Sequence, residues 1–72
     1  MSLIHAKEGE RVTVVDVDES YRRRFARLGV VPGTEINILA QSLHGGCVFL
    51  CRGIKWAMEM DMAQRITVEP IS

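Results

Sequence analysis

The stretch Tyr21–Leu39, YRRRFARLGVVPGTEINIL, decides the fold of this chain. Tyr21, Phe25 and Leu28 fall at i, i+4 and i+7, the spacing of one apolar stripe, and predict a helix over 21–28. Arg22, Arg23 and Arg27 then face outward, with Arg24 near the edge of the stripe. Ser20 stands where a hydroxyl caps the free N–H groups of the first turn, and Asp18 and Glu19 suit the positive end of the helix dipole. Gly29 stands where a left-handed glycine ends a helix. Pro32-Gly33 matches the two central positions of a type II turn, in which glycine supplies the positive φ. Glu35–Ala40 then alternates as a strand, with Ile36 and Ile38 on one face.

Outward from this stretch the chain reads as strands. Arg11–Val17, RVTVVDV, is rich in β-branched residues and follows Gly9. After the loop Gln41–Gly46, Cys47–Arg52 is a third strand, Gly53 breaks it, and Ile54–Met58 is a fourth. Asp61–Gln64 reads as a short helical turn capped by Asp61, and Ile66–Glu69 as a last strand stopped by Pro70. Five short strands and one short helix after the first strand predict a mainly β, small barrel, whose closure removes exposed edges.

The 72 residues predict a single domain, 1–72, with a thin core and little room for a deep catalytic cleft. Nine basic and nine acidic residues leave no net charge, so no global attraction to nucleic acid or to an anionic membrane is expected. No apolar run is long enough to span a bilayer, and MSLIHAKEGE lacks the basic start and apolar stretch of a signal peptide, which predicts a cytoplasmic protein. Cys47 and Cys51 lie four residues apart in a predicted strand, about 13 Å, beyond the roughly 7 Å Cα limit of a disulfide, and two free thiols suit a reducing compartment.

The run YRRRFARLGVVPGTEINIL, with its Leu28-Gly29 step and Pro32-Gly33 turn, resembles the FeoA family of small cytoplasmic components of bacterial ferrous iron transport. Gly45-Gly46, Arg52–Met58 and Asp61–Val68 (DMAQRITV) continue the resemblance, which runs from about Glu8 to Pro70. It implies an SH3-like β-barrel and a role beside a membrane permease whose cytoplasmic part contains a G-protein domain. It implies no catalytic residues. Similar domains end iron-dependent repressors, where they act as interaction modules. The chain departs from the family where Glu59 and Asp61 replace basic residues.

The remaining motifs are weighed against plainer roles. His5, His44, Cys47 and Cys51 are the imidazole and thiolate groups available to a metal. His44 and Cys47 supply at most two ligands across one loop, fewer than the four of a structural zinc site, so no cofactor is expected. In Ala57–Ala63, AMEMDMA, thioethers are soft ligands unsuited to ferrous iron. Alternation puts Met58 and Met60 on one face with Trp56. Met58 is assigned to the core, and Met60 and Met62 to its rim or to a contact surface. Four of the seven arginines lie in Arg22–Arg27, either a solvated face or a docking patch for acidic protein surface. No Ser/His/Asp arrangement and no GxxxxGK[ST] loop occurs, so catalysis is not expected.

The expectation is therefore a non-enzymatic accessory protein that docks on the permease's G-protein-containing domain. Arg22, Arg23, Arg27, Trp56, Met60 and Met62 are its contact candidates, and Gly29, Pro32 and Gly33 set the backbone between them. It would touch the membrane only through that partner, and self-association stays open. Two alternatives stand beside it: a nucleic-acid-associated small barrel, suggested by Gly9–Val14, and a metal-responsive regulatory module.

Overall fold

The computed structural model describes residues 1–43 and 46–71. Five antiparallel strands, β1 (Arg11–Val17), β2 (Glu35–Gln41), β3 (Gly46–Cys51), β4 (Ile54–Glu59) and β5 (Ile66–Pro70), form one sheet in the order β4-β3-β2-β1-β5. Helix α1 (Arg22–Arg27) lies between β1 and β2, and the single turn α2 (Met60–Ala63) lies between β4 and β5. Short 3-10 turns at Leu3–His5 and Glu19–Tyr21 complete the chain. No ladder joins β4 to β5 among the described residues, so strand pairing does not close the barrel, and the expected removal of exposed edges is corrected: β4 and β5 are the two edges of the sheet. The N-terminal turn instead lies against α2, β3 and β5.

Two bulges curl the sheet. In β1 the register jumps between Val14 and Asp16, and in β2 between Ile38 and Ala40. The extra residues are Val15 and Leu39, both 43% exposed, so their exposure follows from the bulge: an unpaired residue bends its strand and sharpens the local twist. The alternating residues on either side, Val12, Val14, Val17, Ile36 and Ile38, are fully buried. They meet Cys47, Phe49 and Cys51 of β3 and Ile66 and Val68 of β5 in one continuous core.

The Pro-Gly element has the expected geometry. Thr34 N–H donates to the Val31 carbonyl at 3.0 Å across Pro32-Gly33, and Gly33 has φ +94°. The turn is pinned to β1 on both sides, by Gly33 N–H to the Val14 carbonyl and Val14 N–H to the Thr34 carbonyl, each 2.8 Å. Gly29 ends α1 at φ +84°.

Several local expectations are corrected. Asp18, not Ser20, caps the start of the helical segment: its carboxylate accepts the Ser20 N–H at 3.0 Å. A carboxylate two residues back reaches that N–H, so the chain enters through a 3-10 turn and α1 proper begins only at Arg22. α2 begins at Met60 with Glu59 in the cap position, which places Asp61 inside the first turn rather than before it. Pro70 belongs to β5 as its last residue and lies opposite Val12, at a strand end where a missing N–H costs least. The 3-10 turn at Leu3–His5 was not anticipated. Ser2 accepts its first free N–H, and the Gln41 amide donates to the Leu3 and Ala6 carbonyls, both at 2.9 Å.

Candidate partner-docking face

α1 is held by one residue. Phe25 is fully buried while every other residue of the helix is exposed, so the helix lies on the barrel as a basic lid. Its arginines differ in what surrounds them. Arg22 reaches Asp16 at 3.4 Å, an exposed pair that contributes little. Arg24 lies 5.5 Å from the Tyr21 ring centroid, within cation–π range. Arg23 and Arg27, at i and i+4 and therefore on one helix face, form no ion pair among the described residues.

Two further arginines belong to this region. Arg65 lies 4.8 Å from the Tyr21 ring centroid and donates to Asp18 at 3.0 Å. The Ser20 N–H and, after it, Arg65 hold the Asp18 carboxyl below its ordinary value. Tyr21, itself stacked on Phe25 at 5.9 Å, thus links α1 to Arg65, the residue before β5. Arg52 is exposed, and its side chain passes beside Gly29, with Cδ 3.3 Å from where a Cβ on Gly29 would sit. A cation there is favoured by the carbonyl end of α1. Arg52 has φ +53° and Gly53 φ +80°, the pair of positive values of a type I′ hairpin turn. The dipeptide Arg-Gly between two strands was the available signal for that turn. Arg65 gave no such signal, because 38 residues or more separate it from every residue of α1.

The second group of contact candidates does not share this surface. Trp56 and Met58 both turn toward the core side of β4, Trp56 opposite Phe49 and Met58 opposite Cys47. Trp56 is half-buried, and its Nε1 is buried without a hydrogen-bond partner among the described residues. Met62 is half-buried against the core, and Met60 is 41% exposed. Met60 does not share a strand face with Trp56 and Met58, because β4 ends at Glu59 and the chain turns into α2. It lines a shallow groove with Ile4 and Leu43 instead.

His5 is exposed on the N-terminal 3-10 turn, His44 lies outside the described residues, and Cys47 faces the core at 1% exposure. Among the described residues no three His, Cys, Asp or Glu side chains converge. Burial pushes the Cys47 thiol up to about 11 and raises that of Cys51. Both thiols are therefore protonated and shielded at neutral pH. Iodoacetamide at pH 7 is expected to label neither in the folded protein and both in denaturant. Rapid labelling of the native state would contradict this placement.

Comparison with known proteins decides the family. A family model described as the FeoA domain matches residues 1–70. The chain belongs to the FeoA family. The FeoA protein of Chlorobium tepidum, solved in solution, is 31% identical, with a TM-score of 0.86 over 100% of this chain and 71% of that one. The FeoA of Stenotrophomonas maltophilia, described as a prokaryotic SH3 domain protein and crystallised with zinc, is 21% identical, with a TM-score of 0.81 over 96% of this chain and 89% of that one. A manganese-dependent transcriptional repressor is 20% identical, with a TM-score of 0.88 over 99% of this chain but only 41% of its own length. No curated protein sequence matches. The chain is thus a mainly β, SH3-like barrel with short helices.

Proposed function

We propose that this chain is a non-enzymatic accessory protein of bacterial ferrous iron uptake. As a single cytoplasmic domain, it docks through the solvent face of α1 on the cytoplasmic, G-protein-containing part of an iron permease. Membership of the FeoA family supports the iron-transport role. The observation that carries the docking surface is the state of Arg23 and Arg27: exposed, on one helix face and without ion pairs among the described residues. Unpaired guanidinium groups on a rigid element match carboxylates bidentately. Arg52 extends the same basic surface past the end of α1.

Docking of this kind acts by differential binding. It shifts the permease domain only if the chain prefers one nucleotide state over another. No helix among the described residues is long and apolar enough to cross a membrane, so membrane association would come through the partner.

The test is a titration of the permease's isolated cytoplasmic domain, in each nucleotide state, with the wild-type chain and with Arg23→Glu/Arg27→Glu. Both positions are exposed, so the variant is expected to melt within a few degrees of wild type. Its affinity is expected to fall at least ten-fold, about 1.4 kcal/mol. Equal affinity in the variant would remove α1 from the contact, and no binding in any nucleotide state would sink the docking reading.

A further inference from the structure

The two ends of the sheet are treated differently. Along β5 the N-terminal residues cover the edge. Val68 N–H donates to the Met1 carbonyl at 2.7 Å, the Met1 ammonium donates to the Val68 carbonyl at 3.0 Å, and Ser2 bridges to Thr67. Along β4 no backbone hydrogen bond reaches the outer edge among the described residues. The Arg52-Gly53 turn determines which groups face that edge. Cys51 and Ile54 flank a two-residue turn and form a hydrogen-bonded pair, so alternation makes Trp56 and Met58 the next residues bonded to β3. Lys55, Ala57 and Glu59 therefore turn their N–H and C=O groups outward. Their side chains stand exposed on the outer face of the sheet.

The chemistry of this edge is symmetric about Ala57. Lys55 and Glu59 lie two residues to either side, and neither is ion-paired among the described residues. An antiparallel strand centred on Ala57 needs an acid opposite Lys55, a base opposite Glu59 and a small residue opposite Ala57. That order is the one β4 itself carries when read in reverse.

We propose that β4 pairs antiparallel with β4 of a second copy of this chain, about a two-fold axis through Ala57. Each Ala57 faces the other, and each Lys55 faces the partner's Glu59. The contact is isologous, as a closed dimer requires. On the outer face Val48 lies opposite Ala57 on one side and Ala40 on the other, so small side chains leave a shallow apolar trough that continues across the axis. Charged residues on an open edge often serve to keep it single. Here each charge meets its opposite in the symmetric pairing, so the same residues select the partner instead. The ladder is short, so the dimer is a weak, exchanging one.

The inference does not depend on the docking reading, and its test needs only this chain. Sedimentation equilibrium at low salt, from about 10 μM to about 1 mM, is expected to show a reversible monomer–dimer equilibrium. Lys55→Glu alone and Glu59→Lys alone each set like charges face to face and are expected to be monomeric throughout. An equimolar mixture of those two variants is expected to form a heterodimer, and the double variant Lys55→Glu/Glu59→Lys to recover self-association. Ala57→Pro removes an outward-facing N–H that bonds nothing among the described residues, and is expected to abolish the dimer while the circular dichroism of the fold is retained. The proposal is overturned by a wild-type chain that stays monomeric over the whole range. It is equally overturned if either single charge variant or Ala57→Pro dimerises like wild type, or if the mixed charge variants do not pair.

Discussion

Phe25→Ala is expected to destabilise the protein by about 3–5 kcal/mol, the range for truncating a buried aromatic side chain. A chain of this length has roughly 4–11 kcal/mol of stability in total, so the variant should sit close to unfolding at room temperature. Three observations make the cost high. Phe25 is fully buried, it is the one buried residue of α1, and it stacks on Tyr21, whose ring also receives Arg24 and Arg65. Its carbonyl accepts both the Leu28 N–H at 3.0 Å and the Val30 N–H at 2.9 Å, so the helix end is organised around it as well. Thermal melting by circular dichroism should show a fall on the order of 15–30 °C. A change of only a few degrees would mean that α1 is held by something other than this side chain. The conservative Phe25→Leu, which keeps most of the apolar volume, should lose much less.

Gly29→Val is the second large effect, expected at roughly 1–3 kcal/mol from backbone strain. Gly29 has φ +84°, a conformation in which a β-branched residue is an outlier. A Cβ there would also come within 3.3 Å of Arg52 Cδ. That atom belongs to a flexible, exposed side chain that can move aside, so the strain comes mainly from φ. The remaining bonds of the turn depend on this conformation. Gly29 N–H donates to the Ala26 carbonyl at 3.0 Å, and the Gly29 carbonyl accepts from Thr34 Oγ1 at 3.3 Å. A melting midpoint lower by about 5–20 °C is expected, with a smaller loss for Gly29→Asn, because asparagine tolerates the left-handed region. An unchanged midpoint in Gly29→Val would refute the helix-ending role of this glycine.

The parts of the fold that were legible in the sequence are those governed by local chemistry. The Leu28-Gly29 step and the Pro32-Gly33 turn each need a positive φ that only one residue in the stretch supplies, and both occur as expected. The alternation of Ile36 and Ile38 reads directly as one face, and both are buried. What was not legible depends on distant residues. The 3-10 turn at Leu3–His5 has no periodicity of its own and is ordered by Gln41 and by the strand that passes beside Ser2. The bulges at Val15 and Leu39 interrupt the alternation for reasons that lie in the sheet's curvature. Asp18 outcompeted Ser20 as a cap because a carboxylate can serve the Ser20 N–H and the Arg65 guanidinium together.

The contact candidates divide in the same way. The outward position of Arg22, Arg23 and Arg27 follows from the helical stripe and is observed. Grouping Trp56 with Met60 assumed that the strand continued through residue 60, whereas the chain turns at Glu59. Arg52 joined the basic face only through a hairpin turn that folds it back beside Gly29. The symmetry of β4 about Ala57 was present in the residues, but its meaning required knowing which edge of the sheet is open.

The proposed docking surface is tested most directly by recording amide chemical shifts of this chain as the cytoplasmic domain of an iron permease, the proposed partner, is added in each nucleotide state. Perturbations concentrated on residues 22–29 and on Arg52, larger in one nucleotide state than in another, are the predicted result. No perturbation in any state, or perturbations confined to residues remote from α1, such as those of β5, would contradict it.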